Sequence, residues 1–181
     1  MIEYFAQSHV GLVRKGNEDS YYAPSQSRPK DPQFFLCVAD GLGGHNAGEI
    51  ASQLAVRTMV TSMQTMEGKN QMLDHPFETM QRLFFEANDK IHMLSTESEK
   101  MYGMGTTLTA AVCKKHMVCI AHVGDSRAYL FNEDGLVQIT TDHTFVQTLI
   151  QSGQLTEKAA LTHPYRHVIT RAVGIEQFLE V

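Results

Sequence analysis

The chain has 181 residues, of which 43% are hydrophobic and 19% charged, and its formal net charge is −5. This length and composition suit one domain with a buried core, and the scattered basic residues argue against a nucleic-acid or anionic-membrane partner. The N-terminal run MIEYFAQSHV lacks the basic flank of a signal peptide, and no run reaches the roughly 18 to 20 apolar residues of a membrane span.

The first half of the chain predicts one buried strand followed by two amphipathic helices. The run FFLCVAD, residues 34–40, is continuously apolar up to its aspartate, which is typical of a buried strand. After a glycine-rich turn, apolar or small residues recur at helical spacing at positions 47, 50, 51, 54 and 58, and again at 77, 80, 84, 87, 91 and 94. These periods predict two helices, each with one apolar face.

The second half changes to a β pattern. Strands are predicted over 106–113, 117–123 and 127–131, and the Asp-Gly of NEDG (132–135) indicates a hairpin into LVQIT. Residues 143–161 look helical in two pieces broken at Gly153, and the later runs HVITRAVG and QFLEV look like strand fragments. Helices grouped between antiparallel strands define an α+β protein.

Carboxylates recur where apolar runs end in glycine-containing turns. Asp40 precedes GLGG, Asp125 ends the run CIAHVGD, and Glu18 and Asp19 follow Gly16. If the strands are neighbours, these acids converge on one rim of the sheet. Clustered carboxylates raise one another's pKa unless a cation neutralises them, and oxygen-only ligands suit Mg²⁺ or Mn²⁺. Two such ions can activate a water and clamp a phosphoryl group.

Arg14 stands four residues before Glu18 and could supply a bidentate fork for a phosphate. Each of these motifs taken alone also has an ordinary interpretation. An Asp-Gly turn is usually only a turn, and GNED could be a solvated loop or a helix cap. The pattern of acids by itself therefore leaves a metal site and a set of plain turns both open.

Six motifs in order resemble the metal-dependent protein serine/threonine phosphatases of type 2C, in their bacterial form. They run through almost the whole chain: RKGNEDS, VADGLGGHNAGEIAS, GMGTTLTAA, AHVGDSRAYL, TTDHTFVQTLI and HPYRHVITRAVG. The resemblance implies a four-layer α-β-β-α sandwich, in which two packed antiparallel sheets are flanked by helices. It also implies that residues 1–181 form a single phosphatase-like catalytic domain.

The resemblance assigns metal-binding roles to the acids. Asp40 would bridge two Mn²⁺ or Mg²⁺ ions, and Glu18 and the carbonyl of Gly41 would complete the protein ligands of one of them. Asp19 would hydrogen-bond metal-bound water. Asp125 matches the aspartate that helps to bind a third, weaker metal ion.

The resemblance also implies a mechanism and a mobile neighbour of the site. Arg14 would hold the substrate phosphate while the bridging water attacks phosphorus directly, without a covalent phosphoenzyme. The segment from about Asp142 to Pro164, hereafter the flap, matches the element that influences substrate choice, and His163 is its candidate functional residue.

The chain departs from the family pattern at two places. Leu42 stands where several eukaryotic members carry a histidine assigned as general acid, and we do not transfer that role to the nearby His45. The family also continues with Ser-Asp-Gly and Asp-Asn motifs whose aspartates ligate the second metal, and AVGIEQFLEV ends before them. The expectation is a domain that is C-terminally truncated, with weakened binding of one ion.

Three functions follow from these observations. The first is hydrolysis of phosphoserine and phosphothreonine in proteins phosphorylated by a serine/threonine kinase. The second is a non-catalytic phosphatase-like domain that binds a partner, because two expected ligands are missing. The third is hydrolysis of small phosphate esters. The three cysteines, which lie in apolar runs and have no disulfide spacing, favour a reducing cytoplasm.

Overall fold

A computed structural model describes residues 3–24, 33–43, 47–63, 65–114 and 116–181. The GLGGHN turn is described only to Gly43, so His45 lies outside the described residues. The elements, in chain order, are β1 Asp19–Tyr22, β2 Gln33–Leu42, α1 Ala47–Met63, α2 Met66–Asp74, α3 Pro76–Glu97, a 3₁₀ turn Glu99–Met101, β3 Gly105–Thr106, β4 Leu108–Lys114, β5 Met117–Val123, β6 Tyr129–Asn132, β7 Gly135–Gln138, α4 Phe145–Gln151 and α5 Glu157–Ala160.

A five-stranded antiparallel sheet forms the centre of the fold. Its strand order is β1-β2-β4-β5, and the short β3 pairs with the end of β2. In the register, Asp19 lies opposite Asp40, Val38 opposite Thr109, and Thr109 opposite His122. Because side chains alternate between the faces of a strand, these residues share one face of the sheet.

The other face of the sheet carries the hydrophobic core. On β2, Phe35, Cys37 and Ala39 are at most 2% exposed, whereas Val38 between them is 46% exposed. Helix α1 packs on this buried face and α3 packs on α1, so both helices cover one side of the sheet. The sheet therefore has a packed face and an opposite face that carries Asp19 and Asp40.

The second sheet of the described chain is the β6–β7 hairpin. Asn132 pairs with Gly135, so Glu133 and Asp134 form a two-residue turn, and Gly135 has a φ of +118°. This is the hairpin that the Asp-Gly pair predicts. Both of its strands are largely exposed, with Phe131 at 78%.

Most predicted elements are confirmed. The runs 34–40 and 117–123 lie in β2 and β5, the two periodic segments lie in α1 and α3, and the helical region 143–161 is broken where Gly153 has a φ of +73°. The α+β class with two antiparallel sheets is confirmed as well.

Some details were wrong. Asp40 is not the last residue of its strand, because β2 continues to Leu42 and pairs there with β3. Asp19 belongs to β1 rather than to a turn. The run QFLEV is not a strand. Phe77, predicted for the buried face of α3, is 67% exposed because it stands in the first turn of that helix.

Among the described residues, no helix is both long enough and apolar enough to cross a membrane.

Candidate metal and phosphate site

Asp40 and Asp19 form the centre of the site. They are register partners on β2 and β1, and their carboxyl groups are in hydrogen-bonding contact. Asp40 is partly buried while Asp19 is exposed, so the pair opens toward solvent at the end of the sheet. Two carboxyl groups can bond directly only if a proton or a cation lies between them.

The electrostatics of Asp40 show how closely the acids converge. The pKa of Asp40 is raised from 3.8 to about 6, first by burial and then by the negative charges of Asp19 and Asp125. The positive charge of Arg14 opposes this rise. The fold therefore brings Arg14, Asp19 and Asp125 near Asp40, as the sequence predicted for one rim of the sheet.

Asp125 reaches this rim from β5, which lies two strands away from β2 in the sheet. Strand β5 ends at Val123, and Gly124 turns the chain with a φ of +112°. Neighbouring strands are spaced by ~4.8 Å, so Asp40 and Asp125 come from strands roughly 10 Å apart. Asp125 follows this turn directly, and its charge is close enough to raise the pKa of Asp40.

The glycines around Asp40 permit a close main-chain approach. A Cβ atom on Gly41 would lie 2.1 Å from the Gly48 carbonyl oxygen and 2.7 Å from the Glu18 carbonyl oxygen. The Gly41 N–H donates a hydrogen bond of 3.1 Å to that Glu18 oxygen. The main chains of three segments thus meet at Gly41: strand β2, the start of α1 and the residue before β1. A larger residue at position 41 would prevent this contact.

The Glu18 side chain lies on the α1 side of this contact. Its Cδ atom would be 3.1 Å from a Cβ placed on Gly48, at the N-terminal end of α1. Among the neighbouring charges, that of Asp19 raises the pKa of Asp40 most. The metal role of Glu18 and of the Gly41 carbonyl stays a prediction.

The donor set suits a hard divalent cation. Within the described ranges, no three His, Cys, Asp or Glu side chains are arranged to hold a metal ion by themselves. The cluster nevertheless offers only oxygen ligands, and its carboxyl–carboxyl contact is what a cation would relieve. Mg²⁺ and Mn²⁺ commonly keep several waters and use few carboxylates, so Asp40 and its neighbours fit such an ion.

Two threonines that the sequence analysis missed hold the Asp40 main chain. The hydroxyl group of Thr106 donates to the Asp40 carbonyl oxygen at 3.0 Å, and Thr107 bonds both the N–H and the carbonyl of Asp40. Both threonines are fully buried; Thr106 is the last residue of β3, and Thr107 lies between β3 and β4. The sequence signal for this role is weak: it is the pair of polar residues near the start of the run GTTLTAA.

A pair of histidines fixes the turn before Asp125. The Gly124 N–H donates to the His143 ring atom Nδ1 at 3.0 Å, and the main-chain N–H of His143 donates to the Gly124 carbonyl at 2.7 Å. His122 stacks on His143 with ring centroids 5.0 Å apart. Burial, the Arg171 charge and the His122 charge lower the pKa of His143 to about 4. His143 is therefore neutral at physiological pH, and its Nδ1 atom is free to accept.

The flap lies beside this turn. Asp142, at its start, forms a bidentate ion pair with Arg127, with distances of 2.6 to 3.0 Å. His163 packs with the rings of Phe145 and Tyr165, at centroid distances of 6.2 and 5.8 Å. A cavity of about 820 Å³ lies between the flap and the β6–β7 hairpin, and Asp125 lines it. The structure thus joins the flap to the Asp125 side of the site.

The structure thus combines two antiparallel sheets with an acidic rim next to a basic side chain. The protein phosphatase 2C family model matches residues 14–172. The chain belongs to that family.

Two named relatives agree with this assignment. The serine/threonine phosphatase stp of Listeria innocua is 37% identical over 172 residues, which cover 94% of this chain and 66% of the relative. The serine/threonine protein phosphatase PstP of Mycobacterium tuberculosis is 38% identical over 173 residues, which cover 96% of this chain and 31% of the relative. The chain thus spans slightly less than two thirds of the first of these relatives and about a third of the second.

Solved structures agree with the fold. The crystal structure of the Mycobacterium tuberculosis phosphatase PstP/Ppp superposes with a TM-score of 0.80 at 37% identity, covering 95% of this chain and 68% of that one. The catalytic domain of PstP in complex with two manganese ions gives a TM-score of 0.77 at 35% identity, covering 97% of this chain and 68% of that one.

Proposed function

We propose that residues 1–181 carry a catalytic domain, or the greater part of one, that hydrolyses phosphoserine and phosphothreonine in proteins with Mn²⁺ or Mg²⁺. The observation that carries the proposal is the convergence of Asp19, Asp125 and Arg14 on the half-buried Asp40. An acidic cluster that binds cations and an adjacent guanidinium that binds phosphate are the two halves of a phosphoryl-transfer site. Membership of the protein phosphatase 2C family makes hydrolysis the reaction to test first.

Each residue has a separate task in this proposal. When bound, the cations supply Lewis acidity toward the phosphoryl oxygens and make water a better nucleophile. Asp40 would be a ligand of both ions, Glu18 and the Gly41 carbonyl would help to hold one of them, and Asp125 would help to hold a third ion. Asp19 orients water. Arg14 binds and orients the phosphate, in the ground state and the transition state alike.

The substrates would be cytoplasmic phosphoproteins made by a serine/threonine kinase. In this proposal the flap contributes to substrate choice, because its Asp142 end is tied to Arg127 near Asp125. His163 is held within an aromatic cluster at the other end of the flap. It would contact the substrate chain rather than the reacting phosphorus atom.

A second candidate function is a non-catalytic domain that binds a partner. The observation that favours it is that the described residues contain no group of three side chains able to hold a metal ion without help. Such a protein would keep the fold and the acidic rim without turnover.

The decisive experiment measures phosphate release from a phosphothreonine peptide by the purified 181-residue chain with Mn²⁺, and again with EDTA. Release that EDTA abolishes, and that Asp40→Asn abolishes without a loss of thermal stability, supports the phosphatase. Asp89→Asn is the matched control, because Asp89 is exposed on α3. Turnover that survives EDTA would refute the metal mechanism.

Absence of peptide turnover under every metal condition would favour the binding domain. Turnover of p-nitrophenyl phosphate with none of the peptide would instead indicate a phosphatase for small esters.

A further inference from the structure

Thr107 is placed between the two strands that supply Asp40 and Asp125. It stands at the junction of β3 and β4 and is fully buried. Its main-chain N–H donates to the Asp40 carbonyl at 2.9 Å, and its hydroxyl oxygen accepts from the Asp40 N–H at 2.9 Å. One residue therefore holds both polar main-chain groups of Asp40.

The same hydroxyl group reaches the Asp125 turn. Thr107 Oγ1 is 2.7 Å from the hydroxyl oxygen of Ser126, the residue after Asp125. Because Thr107 Oγ1 already accepts from Asp40, its own proton is free to be donated to Ser126. The result is a continuous line of hydrogen bonds from the Asp40 main chain, through Thr107, to the turn that carries Asp125.

The methyl group of Thr107 contacts the other side of that turn. A Cβ atom on Gly124 would lie 2.5 Å from the Thr107 Cγ2 atom, so Gly124 packs directly on it. Thr107 thus touches the residues before and after Asp125, one through its methyl group and one through its hydroxyl group. The registers of β4 with β2 and with β5, each extended past its last pair, place Thr107 between Asp40 and Gly124.

The geometry points to Thr107 as the positioning residue that sets the spacing between the Asp40 and Asp125 carboxylates, with Ser126 as its partner. The inference rests on the proposed function, because these carboxylates are among those expected to bind the cluster of metal ions. The Asp40 and Asp125 carboxylates repel each other and come from strands roughly 10 Å apart. A rigid connection between their main chains would keep both within reach of one cluster of cations. Partners that orient metal ligands typically affect metal affinity or activity by about 10- to 100-fold.

The test separates the hydroxyl group from the rest of the side chain. Thr107→Val keeps the shape, the methyl group and the main-chain bond to the Asp40 carbonyl, but it removes the hydroxyl bonds to the Asp40 N–H and to Ser126. Thr107→Ser keeps the hydroxyl group. Thr79→Val is the matched control, because Thr79 is 5% exposed and lies on α3, where its hydroxyl group donates to the Gln71 carbonyl. Mn²⁺ affinity is measured by calorimetry on the metal-free 181-residue chain, below the unfolding midpoint of every variant.

We expect Thr107→Val to weaken Mn²⁺ binding by about 10- to 100-fold, and Thr107→Ser by less than about tenfold. Thr79→Val should bind like the parent. Ser126→Ala should also weaken binding, and it should add little in the Thr107→Val background because both changes cut the same line of hydrogen bonds. If Thr107→Val does not fold, Ser126→Ala alone carries the test.

Several results would overturn the inference. Mn²⁺ affinity of Thr107→Val or of Ser126→Ala equal to that of the Thr79→Val control would do so. Equal losses in Thr107→Ser and Thr107→Val would show that packing, not the hydroxyl group, matters. A parent chain that binds no Mn²⁺ would refute both the inference and the proposed function. A parent that binds Mn²⁺, and loses affinity in Thr107→Val as expected, yet releases no phosphate would refute the proposed function alone.

Discussion

Replacing Gly41 with alanine tests whether main-chain contact holds the site together. A Cβ atom there would lie 2.1 Å from the Gly48 carbonyl oxygen, where ordinary contacts begin at 3.4 Å, so β2 and α1 would have to part by about 1.3 Å. That movement would also stretch the 3.1 Å hydrogen bond from Gly41 to the Glu18 carbonyl. Gly41 has no positive φ, so alanine would meet a steric obstacle and no backbone strain.

The expected cost combines two contributions. Overpacking a close contact costs about 1–3 kcal/mol, and a weakened hydrogen bond adds about 1 kcal/mol. For a chain of this size, a loss of about 3 kcal/mol lowers the unfolding midpoint by roughly 6 to 12 °C. Gly16→Ala is the matched control, because nothing lies within 4 Å of its would-be Cβ. That variant should stay within about 1 kcal/mol of the parent.

The assay is thermal unfolding followed by circular dichroism, with the parent and both variants in one buffer. A midpoint for Gly41→Ala within about 2 °C of the parent, which corresponds to less than about 1 kcal/mol, would refute the reasoning. It would mean that β2 and α1 are not in firm contact at this position. Any effect on metal binding could then not be attributed to displacement of the neighbouring Asp40.

Three further predictions concern substrate binding, stability and pH. Arg14→Ala should raise KM for a phosphopeptide by about 10- to 100-fold with little change in kcat or Mn²⁺ affinity, because the guanidinium contacts the phosphate in the ground state and in the transition state alike. An unchanged KM would contradict this role. Asn88→Ala should lower the free energy of unfolding in urea by about 2–3 kcal/mol, because the buried Gly174 N–H and the carbonyls of Glu176 and Gln177 lose their hydrogen-bond partner. Asp89→Ala, at an exposed position, is the control. Equal unfolding midpoints for the two variants would refute the role of Asn88. His143 should make the parent lose stability as pH falls from about 6.5 to about 4, because the unfolded chain protonates this ring before the folded one does. The raised pKa of Asp40 acts in the opposite direction below about 6, so the contribution of His143 to the slope is measured as the difference between the parent and a His143 variant. His143→Asn, which keeps an acceptor for Gly124, should lessen that slope, and an unchanged slope would exclude His143 as its source.

The parts of the fold that could be predicted are those with a clear hydrophobic period. β5 has the predicted bounds because its apolar run is bordered by polar turns, and α3 is periodic over its whole length. β1 was missed because four residues, DSYY, are too short for a period to show and begin inside a charged motif. α2 was missed because MEGKNQMLD has little apolar content; its start depends on the Thr65 cap.

The site divides in the same way. Asp40 and Asp125 were found because each is a charge at the end of an apolar run, and the family resemblance supplied their partners. Thr107 and Ser126 were missed because their role consists of hydrogen bonds between strands that are distant in sequence. Such contacts depend on the strand order, which no local pattern contains.

The alternation along β2 has a consequence for how substitutions there should behave. Phe35, Cys37 and Ala39 face the helices, whereas Val38 and Asp40 face the acidic side. In a deep mutational scan that scores cellular abundance and phosphate release separately, the effect of substitutions should therefore alternate from one position of this strand to the next. Odd positions should lose abundance and activity together, and Asp40 should lose activity while abundance persists. Ten consecutive codons would thus report separately on folding and on chemistry.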